Sequence, residues 1–187
     1  MAVLIIRTKR QYTELAQAGL AGNCPKTWNS VDEFLEQSSD ELVGIRCYSA
    51  ASSNFRAFVP RDKVWQTVKD LGLKQGEYYL SVTIPPSEVI VAGELSWMDG
   101  RWVFYHSYLQ CPMREALREG GRHAYGYFAV WGALRRYCTP QDVEDLQELF
   151  ERYTHEGNYP VIELTVTRHD CGIFPGRNTL IWEVRHY

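Results

Sequence analysis

"EVIVAGELSWMDGRWVFYHSYL", residues 88–109, is the stretch whose reading decides the fold. Two runs rich in aromatic and β-branched residues flank Asp99-Gly100, and an Asp-Gly pair supplies the positive φ angles of a two-residue hairpin turn. The stretch therefore predicts two antiparallel strands. In the second run Trp102, Phe104, His106 and Tyr108 fall on one side, and Val103, Tyr105 and Leu109 on the other. A strand that is apolar on both sides needs cover on each, so it is expected inside a sheet.

Working outward, "EYYLSVTI" (77–84) reads as another strand. At the far end, "YPVIELTVTR" (159–168) alternates Ile162, Leu164 and Val166 with Glu163, Thr165 and Thr167. "NTLIWEVRHY" (178–187) alternates Leu180, Trp182 and Val184 with Ile181, Glu183 and Arg185, so the two are expected to pair as a hairpin. Residues 2–7, 41–49 and 54–60 also read as strands.

Helical spacing marks 9–20, 30–37, 61–71, 123–137 and 139–154, with a shorter helix over 112–119. Ser30 stands three before Glu33 as a capping box, Thr139-Pro140 opens the last helix, and Gly120-Gly121 breaks the chain before 123. Along 61–71, Val64, Trp65, Val68 and Leu71 are spaced for one face. The pattern predicts a single α+β domain over 1–187. Its largely antiparallel sheet has central strands at about 77–109 and a C-terminal hairpin at about 160–187.

Of the 187 residues, 45% are hydrophobic and 23% charged, as in ordinary globular proteins, and the net charge of −3 gives no general pull toward nucleic acid or anionic membrane. Five scattered cysteines with no CxxC pair, together with no long apolar run, lead to the expectation of a reduced cytoplasmic setting and no membrane association. Charge is uneven along the chain. Residues 110–137 sum to +3 and 139–156 to −5, so the acidic helix, through Asp142, Asp145 and Glu148, is a candidate surface for a basic protein partner.

Several residues carry chemistry. His169, Asp170 and Cys171 fall where a strand gives way to a loop, and neighbouring strand side chains diverge, which predicts a turn and no metal centre. Cys24 precedes a helix and is a candidate nucleophile if a histidine, such as His106 or His123, lies beside it. "REGGRHAYG" (118–126) sets Arg118, Gly120, Gly121, Arg122 and His123 at the start of a helix, a candidate cradle for a phosphate or other small ligand. Tyr79, Tyr105 and Tyr108 would line an aromatic cavity with His106. No cofactor motif is present: the glycine spacing matches neither GxGxxG nor GxxxxGK[ST].

The order Arg46, then Ser81 and Thr83, then Glu163 or Glu183 resembles ADP-ribosyltransferases, a resemblance that implies NAD binding. It departs from that family in lacking Glu or Gln two residues before either glutamate. A well-patterned fold without a recognised catalytic motif leads to the expectation of a binding protein, either an inhibitor or immunity-type partner or an aromatic-lined small-molecule binder. The alternative is an enzyme acting on a nucleotide or phosphorylated substrate near 118–126. A nucleic-acid binder comes third, since the aromatics beside its arginines are expected to be core.

Overall fold

The computed structural model of the protein describes residues 6–17, 24–49, 56–98, 101–107, 121–125, 127–155, 157–168 and 176–186. It is an α+β fold whose strands form two antiparallel sheets. Contacts group the chain into two compact units, one of residues 25–83 and one of 1–24 with 84–187.

In the 25–83 unit, β1 (Thr27–Trp28), β2 (Leu42–Cys47), β3 (Arg56–Pro60) and β4 (Tyr78–Ser81) lie in the order β1-β4-β2-β3. Against them sits α2 (Val31–Gln37), while α1 (Lys9–Gln17) belongs to the other unit. Ser30 caps α2 by accepting the Glu33 N–H, and Glu33 in return accepts the N–H of Asn29. Such a cap is worth about 1 kcal/mol. At the other end of α2, the Arg61 guanidinium donates to the carbonyls of Leu35 and Ser38, both at 2.6 Å. It thereby occupies acceptors that a helix end leaves open.

Trp28, Phe34, Ile45 and Leu80 fill the core of this unit, with the Trp28 and Phe34 rings edge to face at 5.0 Å. The 61–71 segment begins as a 3-10 turn and continues as α3 (Val64–Asp70). Val64 and Val68 are buried, but Trp65 is 53% exposed, so the inward stripe is narrower than its spacing suggests.

In the larger unit, β5 (Val89–Met98), β6 (Arg101–Ser107), β7 (Gly121–Tyr125), β8 (Val161–Thr167) and β9 (Thr179–Arg185) are ordered β7-β6-β5-β8-β9. Met98 stands opposite Arg101, the register that a two-residue turn requires, and Asp99-Gly100 itself lies outside the described residues. β6 is paired along both edges, by β5 and β7, and so stands inside the sheet as expected. β4 belongs to the other sheet: Pro85 and Pro86 follow it, and proline cannot donate to a ladder.

Two helices complete this unit, α4 (Tyr127–Leu134) and α5 (Pro140–Tyr153). The helix expected over 123–137 starts later, because His123 to Tyr125 are strand, paired with Trp102 to Phe104. Here sheet pairing overrides helical spacing. Thr139 caps α5 by accepting the Asp142 N–H, with Pro140 at the first helical position. Its face of Val143, Leu146, Phe150 and Tyr153 packs with Val91, Leu95, Ile162, Leu164, Ile181 and Val184 of the sheet.

The strand expected over 2–7 and the helix over 112–119 fall on residues outside the description, apart from Ile6 and Arg7. No helix among the described residues is long and apolar enough to cross a membrane.

Candidate functional site

The far face of the large sheet gathers charge. β8 alternates strictly, so Ile162, Leu164 and Val166 go to the core and Glu163 and Thr165 to the opposite face. On β9 the alternation breaks. Leu164 pairs with Ile181 while Glu163 pairs with Glu183, which makes Trp182 the extra residue of a bulge. Without that bulge the register would put Glu183 opposite Ile162, on the core face. With it, Ile181 and Val184 both reach the core and Glu183 comes to stand beside Glu163. Trp182 donates its indole N–H to Thr165 at 2.8 Å, fixing the bulged residue on the same side as Glu163.

Glu94 of β5 is the register partner of Glu163, so Glu94, Glu163 and Glu183 form one row across three adjacent strands. The row continues along the backbone ladder through Tyr105 of β6 to Arg122 of β7. Like charges set directly across strands repel, and two cations answer them. The Arg185 guanidinium donates to Glu163 at 2.7 Å and Glu94 at 2.6 Å and stands 3.6 Å from Glu183, whose other oxygen lies 3.5 Å from the Lys9 ammonium.

Burial pushes the Glu94 carboxyl above its ordinary range, against the pull of Arg185. Burial, then repulsion by Glu163, pushes Glu183 up as well. A carboxyl whose folded pKa is raised contributes stability that is present below its unfolded value and lost as pH rises through the folded one. Stability of this unit is therefore expected to decline as pH rises from the ordinary carboxylate value of about 4.3. Glu183→Gln keeps the shape and removes the titration, so urea midpoints measured across that range should fall less steeply than in the natural sequence. Equal slopes would refute this assignment.

The other sequence-derived candidates are placed differently. Cys24 is held by the Tyr12 hydroxyl at 2.7 Å, and burial pushes its thiol up to about 11, leaving it neutral at physiological pH and unsuited to attack. His106 lies opposite Gly93 and Gly121, and His123 opposite Phe104, on strands that carry no cysteine. Gly121, Arg122 and His123 form a paired strand and not a loop entering a helix, so their ladder N–H groups are not arranged as a helix-terminus anion cradle.

Arg118, Gly120, Tyr108 and the 169–171 triplet fall outside the described residues. Tyr79 is buried in β4 of the smaller unit, 5.0 Å from the Tyr48 ring. Arg46 does meet Ser81, at 2.9 Å on neighbouring strands, but Glu163 and Glu183 belong to the sheet of the other unit. On the acidic helix, Asp142 is fully buried and bonded to Arg177 and to the N–H of Asn178, Asp145 pairs with Arg177, and Glu148 pairs with Arg152.

No protein family matches the chain, and no curated protein is similar to it. Among solved structures, the D-alanine-D-alanine ligase of Helicobacter pylori is similar in fold, with a TM-score of 0.51 at 10% identity. The match covers 93% of this chain and 53% of that one, so the chain spans about half the length of the ligase. This likeness overturns the expectation of an inhibitor, immunity-type partner or aromatic-lined binder. That expectation rested on the lack of a recognised motif, and a fold similar to this one is found in a ligase.

Proposed function

We propose that the protein is an ATP-using enzyme of ligase type, which activates a carboxylate with the nucleotide and joins it to an amine. The observation that supports this reading is the fold shared with a D-alanine-D-alanine ligase over nearly the whole chain. Forming an amide in water needs a leaving group. Phosphoryl transfer to the carboxylate provides one, and the amine then displaces phosphate.

The row Glu94, Glu163 and Glu183 with Arg185 and Lys9 is the charged surface on which this chemistry would be organised. With all groups ionised it carries one excess negative charge, which suits the ammonium of an amine substrate. Glu183, its carboxyl raised by burial, is a proton acceptor closer in pKa to an amine than an exposed glutamate is.

Nucleoside triphosphates are usually handled as Mg2+ complexes. The acids of this row do not fit such an ion as arranged, because Arg185 contacts each of the three glutamates. Among the described residues no group of three or more His, Cys, Asp and Glu is arranged to hold a metal.

Thermal shift with ATP tests the reading. Ligand at a hundredfold excess over Kd stabilises by about 2.7 kcal/mol, which for a chain of this size is a rise of roughly 5–10 °C in Tm. ADP release should follow when amino acids or short peptides are supplied with ATP. No shift with any nucleoside triphosphate, together with no ADP release across the amino-acid panel, would overturn it.

A further inference from the structure

We propose that Ser96 is a binding residue beside the acid row: its hydroxyl and one oxygen of Glu94 together hold the ammonium of a primary amine. The inference rests on the ligase reading in taking that reading's amine substrate as the ligand. Its test is made without nucleotide, so that the two can fail separately.

The independent observation is Ser96 itself. It is 2% exposed, and its Oγ has no hydrogen-bond partner. Buried polar groups are almost always hydrogen-bonded, so an orphaned hydroxyl points to a group that binds there. Leu95 lies in the core, which puts its neighbours Glu94 and Ser96 on the far face, one pleat apart. The ladder to β6 runs from Ala92 to Met98 without a register shift, so the two stay on that side.

Ser96 belongs to a second row beside the first. Leu95 pairs with Ile162, which sets Ser96 level with Val161, and Val161 pairs with Arg185. On its other side Ser96 pairs with Val103. Neither valine has a polar side-chain atom to offer. Arg185 reaches out of this row toward the acids, with one terminal nitrogen on Glu163 at 2.7 Å and the other on Oε2 of Glu94 at 2.6 Å. Among the described residues nothing bonds Oε1 of Glu94. A carboxylate oxygen and a hydroxyl are thus both left without a partner, one pleat apart.

Charge selects the ligand. Three glutamates against Arg185 and Lys9 leave one negative charge, so a cation is favoured over an anion. An ammonium brings three donors, and both open groups can accept. Residues two apart on a strand are separated by about 6.6 Å, and a nitrogen about 2.8 Å from each of two oxygens bridges most of that span. The side chains of the acids and Arg185 are 10–22% exposed, so the amine approaches over them, with Ser96 as the floor.

Glycinamide is the probe, and N-acetylglycinamide, which lacks the ammonium, is the control; both are titrated calorimetrically. The natural protein should bind the first and not the second. Ser96→Ala should weaken glycinamide binding about tenfold, the loss of one hydrogen bond to a charged group. Stability gives a second readout. Without ligand, Ser96→Ala removes an orphaned hydroxyl and should raise Tm, whereas loss of a bonded serine lowers it.

Three results would each overturn the proposal: no glycinamide binding by the natural protein, equal affinity in Ser96→Ala, or a lower Tm in Ser96→Ala, which would give the hydroxyl a resident water as its partner. Ser96-dependent amine binding without ADP release on any substrate would sustain the proposal and remove the ligase reading. ADP release with amine binding indifferent to Ser96 would do the reverse.

Discussion

Asp142→Ala is expected to lower stability by about 3 kcal/mol, at the lower end of what breaking a buried charge pair costs. Asp142 is fully buried in the first turn of α5. It accepts from the Arg177 guanidinium at 3.2 Å and from the backbone N–H of Asn178 at 3.0 Å. Asn178 in turn donates to the carbonyls of Tyr137 and Thr167 and accepts the N–H of Thr139, the residue that caps α5. This network ties the start of α5 to the end of β8 and the start of β9.

Removing the carboxylate leaves the Asn178 N–H without its acceptor and takes from Arg177 one of its two acids. Asp145 still pairs with Arg177, and Arg177 is 25% exposed, which keeps the expected loss at the lower end of the range. In thermal unfolding the change corresponds to a Tm drop of roughly 6–12 °C. Glu148→Ala is the contrast: its pair with Arg152 is exposed and spaced i,i+4, so about 0.5 kcal/mol or less is at stake. Equal effects from the two substitutions would contradict the role given to Asp142.

The second large effect belongs to His186. His186→Phe keeps the ring volume and removes both ring hydrogen bonds. Nδ1 accepts the N–H of Ile6 at 3.1 Å, and Nε2, carrying the proton that this leaves it, donates to the Tyr153 carbonyl at 2.8 Å. Tyr153 ends α5, where carbonyls lack partners within the helix, and His186 is 7% exposed, so water does not readily replace it.

An unsatisfied buried polar group costs about 1–3 kcal/mol, and two are left here. A loss of about 3 kcal/mol is expected in urea unfolding, with His186→Asn recovering part of it through one restored bond. Stability unchanged in His186→Phe would show that neither backbone group depends on the ring.

The strands and caps of this protein are written locally. Asp99-Gly100 announces the hairpin whose register β5 and β6 adopt, and Thr139-Pro140 and Ser30 mark helix starts that the structure uses as caps. Ile162, Leu164 and Val166 name the core face of β8 because a strand alternates without exception when no residue is inserted.

His123 to Tyr125 were less legible. Their helical spacing is real, but pairing with β6 decided their conformation, and that partner lies about twenty residues away in sequence. The sequence also held Asp142 among the acids of an exposed face, whereas Arg177 and Asn178, from a distant segment, draw it inward.

The alternation along 159–168, the hairpin at Asp99-Gly100 and the α+β class followed from the chain alone, since each depends on residues within a turn or a strand of one another. The acid row did not. Alternation along "NTLIWEVRHY" sets Ile181, Glu183 and Arg185 on one side without fixing a register; only the extra residue accommodated at Trp182 lets Ile181 join Val184 in the core while Glu183 stands opposite Glu163. A bulge is set by how two strands and the core behind them fit together. That fit is a property of the assembled sheet, which no single segment of the sequence contains.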